Sequence, residues 1–148
     1  MVGAGGAPVI GAEQRLKVLG IELPAPPTPF GAYVEAAQSG RLLFFSGMIP
    51  VVNHKPKYVG RIGKELDEES GRDALRIASL GALAAARAHL GTLDKITRVV
   101  RLGIYMVTSG DSVDQPHVAD AAARLVIGVA SLPLGVPVEL EVILEVAE

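Results

Sequence analysis

The sequence predicts an α+β fold, a single domain in which helices pack on one face of a mixed β-sheet. Three observations lead there. First, residues 136–146 alternate strictly: Val136, Val138, Leu140, Val142, Leu144 and Val146 share one parity, and Glu139, Glu141, Ile143 and Glu145 share the other. Successive side chains of a strand point to opposite faces, so this strand has one apolar core face and one face rich in carboxylates. Second, an Ala- and Leu-rich stretch over residues 67–90 ends at Gly91 and reads as the main helix. Third, short runs of Val, Ile, Leu and Phe separated by Gly, Ser and Pro supply the other strands. Such a mixture buries its apolar faces by layering helices on a sheet.

In chain order, residues 1–22 form an N-terminal arm, a mobile Gly- and Ala-rich start and then a short helix over 12–19. The domain proper is residues 23–148. Leu23–Pro29 holds four prolines, so it is extended and irregular, without a ladder of its own. Residues 32–36 and 41–45 read as a hairpin turning at Ser39-Gly40. Residues 53–63 read as a surface loop with a short strand near Val59.

In the main helix, Ser70 and Asp73 resemble a capping pair. Gly81 in its middle costs about 1 kcal/mol relative to Ala, which predicts close packing against the sheet. Residues 96–107 form a strand, with Val100, Leu102, Ile104 and Met106 on one face. Pro116 opens a short helix over 117–123. The last two apolar runs, 123–131 and 136–146, flank a Pro/Gly segment and read as adjacent antiparallel strands. In the first of them Leu125, Ile127 and Val129 oppose Arg124, Val126 and Gly128, which directs Arg124, like Glu139, away from the helix-packed core. A sheet face of charge and small residues can meet solvent or another subunit.

Composition narrows the function. The 148 residues carry 14 basic and 16 acidic side chains, a net charge of −2, so no basic field for nucleic acid is present. No apolar run has the length of a membrane span. With no cysteine, disulfides, thiolate metal sites and a cysteine nucleophile are excluded, and cytoplasm is the expected compartment. His54, His89 and His117 lie in different elements without metal spacing, and the glycines form no phosphate loop, so no metal and no cofactor are implied. Ser46 has no visible base partner, but its hydroxyl or the Gly47 amide can bind an anion. Tyr105 is a candidate cleft wall. Arg124 offers a planar fork for a carboxylate; the competing reading is a salt bridge between subunits.

Several short landmarks now line up: Gly31-Ala32-Tyr33, Phe45-Ser46-Gly47-Met48-Ile49-Pro50, the helix after Gly71, Ala123-Arg124, Leu132-Pro133 and Val138-Glu139-Leu140-Glu141. In this order and spacing the chain resembles the YjgF/YER057c/UK114 superfamily, also called RidA-like or endoribonuclease L-PSP, and its longer bacterial branch in particular. The resemblance implies a chorismate-mutase-like fold and a homotrimer whose sheets face inward, with ligand clefts between subunits. It implies an enamine/imine deaminase that hydrolyses 2-imino acids to keto acids and ammonia. Arg124 then clamps the substrate carboxylate and Glu139 orients the hydrolytic water. Tyr33, Ser46 and Gly47 line the same cleft, and Val126 stands where the family often has Cys. Met48 stands where its best-known members carry Gln. These two replacements favour the alternative, a non-catalytic trimer that binds small carboxylates or metabolites. A purely structural or protein-interaction role ranks third. Nothing basic or aromatic forms an RNA platform, so nuclease activity is not expected.

Overall fold

The computed structural model describes residues 9–110 and 124–148. Its main sheet holds β1 (Ala36–Ser39), β2 (Leu42–Phe45), β5 (Ile96–Met106), β6 (Arg124–Gly128) and β7 (Val138–Val146), in the order β1-β2-β7-β5-β6. The β5/β6 pair is parallel and the other pairs are antiparallel, so the sheet is mixed. A separate small hairpin joins β3 (Val51–Val52) to β4 (Lys55–Pro56).

Helix α2 (Glu68–Leu90) packs on one face of the sheet. Ala74, Ala78, Ala82, Ala85 and Ala86 present small side chains to the core, so the helix approaches Leu43, Val138, Leu140, Val142 and Leu144 closely. The helix begins where Asp67 accepts a 2.8 Å hydrogen bond from the Ser70 amide, and the Ser70 hydroxyl first, with that amide, holds the Asp67 carboxyl below its ordinary pKa. The cap is thus one turn earlier than the Ser70/Asp73 pair. The helix ends at Gly91, whose φ of 84° lies in the left-handed region. Asp73 instead receives Lys57 Nζ at 2.7 Å and Tyr58 OH at 2.6 Å, tying the segment after β4 to the helix.

Helix α1 (Ala12–Val18) docks on the far end of α2. Glu13 takes two bonds from Arg87, at 3.1 and 2.7 Å, and a third from the Leu93 amide at 2.9 Å. Leu16 inserts into the core beside them.

Several expectations need correction. The last two strands are not a hairpin: β7 lies between β2 and β5, and β6 pairs with β5 at the sheet edge. The connecting residues 129–137 cross past β5 through a 3₁₀ turn at Pro133–Gly135, a span longer than a tight hairpin loop. The first strand starts at Ala36 rather than residue 32, and the short strands flank Asn53-His54 rather than Val59. Register shifts between Ile96 and Arg98 and between Val99 and Arg101 break the alternation of β5, which leaves Val100 exposed and Ile104 and Met106 buried. Val126 packs against the core while Leu125 and Ile127 are exposed, the reverse of the predicted faces of that strand. The short helix over 117–123 lies outside the described residues.

Gly81 does not touch the sheet. A Cβ built there meets nothing within 4 Å. Its backbone is helical, so the glycine adds flexibility without enabling a close approach. Gly81→Ala is therefore expected to stabilise the protein by about 1 kcal/mol, read as a higher urea midpoint at unchanged slope. A lower midpoint would show that the position needs glycine.

Candidate functional site

The site is assembled where β2 ends over the start of β7. Met48 makes two backbone bonds with Leu140, at 2.9 and 2.8 Å, and its own side chain is buried in the core. This bridge lays Gly47 directly across Glu139. A Cβ on Gly47 would overlap Glu139 Oε1 and stand 2.8 Å from its Cδ. Only glycine leaves the carboxylate in its place. One residue earlier, the Ser46 amide donates to Glu35 O at 2.9 Å, and Ser46 Oγ donates to Val34 O. Tyr33 curls back so that its hydroxyl accepts the Phe30 amide at 3.0 Å.

These residues line a cleft of about 480 Å³, with Ile49, Pro133 and Leu134 as apolar walls. Four of the predicted site residues therefore converge: Tyr33, Ser46, Gly47 and Glu139. The sequence reasoning missed Phe30 and Leu134. Phe30 directly precedes the Gly31-Ala32-Tyr33 landmark, which was the available signal. Leu134 has a φ of 58°, a left-handed turn that no residue type there announces.

Glu139 differs electrostatically from its neighbours on β7. Glu141 receives Tyr105 OH at 2.9 Å and faces Arg101 Nε at 3.3 Å. Glu145 is held by Thr97, Arg98 and Arg41, and those bonds keep its pKa below the ordinary carboxylate value. Among the described residues Glu139 has neither a hydrogen bond nor an ion pair, and burial alone pushes its pKa up. A half-buried carboxylate with no partner, facing a cleft, is placed to accept a hydrogen bond or a proton from something that enters.

Tyr105 and Val126 are not among the cleft-lining residues. Tyr105 pairs with Glu139 in register, but its hydroxyl is spent on Glu141, which raises its pKa. Arg124 opens β6 opposite Leu102, whereas Glu139 sits opposite Tyr105. Three residues along and two strands across place the two Cα atoms roughly 14 Å apart in one chain. The direction of the Arg124 side chain lies outside what is described. Among the described residues no group of three potential ligands could hold a metal ion, and no helix is long and apolar enough to cross a membrane.

Residues 13–132 match the family described as "YjgF/chorismate_mutase-like, putative endoribonuclease". The chain belongs to the YjgF/RidA family. Its relatives include Protein TCP17 of Trypanosoma cruzi, 33% identical over 146 residues, with 88% of this chain and 91% of that protein covered. The crystal structure of Atu1372 from Agrobacterium tumefaciens, a protein of unknown function, is 32% identical with a TM-score of 0.77, covering 91% of this chain and 92% of its own. A Shewanella oneidensis structure reaches a TM-score of 0.83 at 24% identity, covering 90% and 98%. That likeness concerns the fold, and the chain has the chorismate-mutase-like α+β fold of the YjgF/RidA proteins.

Proposed function

We propose that this YjgF/RidA protein is a cytoplasmic homotrimer that hydrolyses 2-imino acids, and their enamine tautomers, in clefts between subunits. The observation that carries the reading is Glu139: a carboxylate kept partnerless and partly desolvated by its fit under Gly47, at the head of an open cleft. In its ionised form it orients a water and takes a proton as the oxygen adds to the imine carbon. The protonated Glu139 then gives that proton to the carbinolamine nitrogen, and as the carbon–nitrogen bond breaks the regenerated carboxylate accepts the hydroxyl proton, so ammonia leaves behind a keto acid. Holding the substrate by its carboxylate falls to Arg124.

The separation of Arg124 from Glu139 within one chain supports a shared site. β6 is an edge strand of the described sheet, so another subunit can approach it. The uncovered face also carries apolar side chains that water solvates poorly: Phe44, Leu125 and Ile127 are 37–44% exposed. A closed ring of three would cover them. Light scattering is expected to give about three times the 15.4 kDa chain mass. A stable monomer at micromolar concentration would reject both the trimer and the shared cleft.

Turnover is tested by generating a 2-imino acid in place and following keto-acid release above the spontaneous background. No acceleration across several side chains would reject the enzyme. One observation favours the binding-only reading: Met48 is buried and brings no polar group to the cleft. In that case the same cleft holds carboxylates without turnover, and equilibrium dialysis with 2-oxo acids detects it.

A further inference from the structure

The outer wall of the cleft has an unusual support. Phe30 stacks on the His54 ring with centroids 4.0 Å apart and planes 12° from parallel. His54 Nδ1 also pairs with Thr28 Oγ1 at 2.9 Å. Asn53 and His54 form the tip between β3 and β4, with φ values of 53° and 60°. Left-handed backbone costs an L side chain roughly 1–2 kcal/mol, and less for Asn, whose short polar side chain tolerates it. Glycine would relieve the second position, so a side chain there has a use that outweighs the strain.

That use follows from what lies behind the wall. Residues 22–29 belong to no helix or strand. Between them and α2 runs a second groove of about 480 Å³, floored by Leu80 and Gly81 and bounded by Thr28 and His54. The segment carrying Phe30 borders open space on that side, and there the His54 ring braces the Phe30 side chain while the Tyr33 hydroxyl takes the Phe30 amide.

We infer that His54 is a positioning residue: it fixes Phe30 as the apolar wall of the cleft, and that wall selects ligands by the size of their apolar side chain. This selection rests on the carboxylate-binding reading above; the bracing does not. Ile49, Pro133 and Leu134 complete the apolar surround, so a ligand whose carboxylate is anchored would turn an aliphatic chain toward Phe30.

Two measurements test it. Hydrogen exchange read by mass spectrometry needs no ligand. His54→Ala should speed exchange across residues 28–33 while α2 stays protected, Thr28→Val should do so weakly, and His54→Phe, which keeps an aromatic stack, should restore protection. Unchanged exchange in His54→Ala would overturn the brace. Equilibrium dialysis then compares 4-methyl-2-oxopentanoate with 2-oxopropanoate. Wild type should favour the longer acid by at least about tenfold. His54→Ala and Phe30→Ala should bring that ratio close to one, and His54→Phe should keep it. An equal loss of affinity for both acids, or an unchanged ratio in Phe30→Ala, would overturn the selection. If wild type binds neither acid, the carboxylate reading falls and the selection with it, while the exchange experiment still decides the brace.

Discussion

Arg124→Met is expected to lower imine hydrolysis by more than about tenfold, or more than about 1.4 kcal/mol of transition-state stabilisation, without dissolving the trimer. Imines derived from amino acids keep their carboxylate, and a guanidinium fork holds a carboxylate through two parallel hydrogen bonds. Methionine keeps an unbranched stem of similar reach but offers no donor. The side chain belongs to an edge strand whose backbone pairs with β5, so the ladder survives the change. The loss should appear in carboxylate binding as well as in turnover, because the clamp acts on ground state and transition state together. Mass must be checked by light scattering for the variant. Equal activity in wild type and a still-trimeric Arg124→Met would reject Arg124 as the clamp.

The strict alternation of β7 was legible because burial on one face imposes a period of two, and the structure places Val138, Leu140, Val142 and Leu144 in the core as that period requires. What alternation cannot carry is the identity of neighbours. Two apolar runs around a Pro/Gly segment look alike whether they pair with each other or insert a third strand between them, and here β5 stands between β6 and β7. On β5 the expected core face held for Leu102, Ile104 and Met106 and failed at Val100, for a related reason. Each register shift in that strand moves the following side chains to the other face, and Thr97, Val99 and Val100 carry no glycine or proline to announce it.

The convergence of Tyr33, Ser46, Gly47 and Glu139 on one cleft was legible through the family resemblance and not through a local pattern. Ser46 and Gly47 follow directly on β2, and Glu139 lies on the polar parity of β7, so their meeting needed only the bridge between Met48 and Leu140. His54 was not legible. Its role comes from a left-handed turn without glycine and from a stack on a residue 24 positions away, and neither leaves a local pattern. For Gly81 the local rule pointed the wrong way: a mid-helix glycine suggested contact, and the helix instead faces an open groove there.

Gly47→Ala is the most discriminating single change in the cleft. Gly47 lies outside the left-handed region, so alanine meets no backbone strain. The three atoms nearest the added methyl group all belong to the Glu139 side chain, which is flexible and can move, so the fold can tolerate the change. Glu139 must then swing away from its place under residue 47. Turnover is expected to fall by more than about tenfold, because a displaced carboxylate no longer positions the water. The pH profile supplies a second and independent readout. Desolvation raises the Glu139 pKa, and the ionised form is the active one, so the acid limb of the rate profile should sit higher than for a solvated glutamate. Once pushed toward solvent, Glu139 loses that desolvation and its pKa drops back, so in Gly47→Ala the limb should move to lower pH. Glu139→Gln should remove the limb altogether, and should lower turnover more than carboxylate binding. A Gly47→Ala enzyme with wild-type rate and an unmoved acid limb would mean that Glu139 is not the group that handles the water, even if Arg124 still binds the substrate.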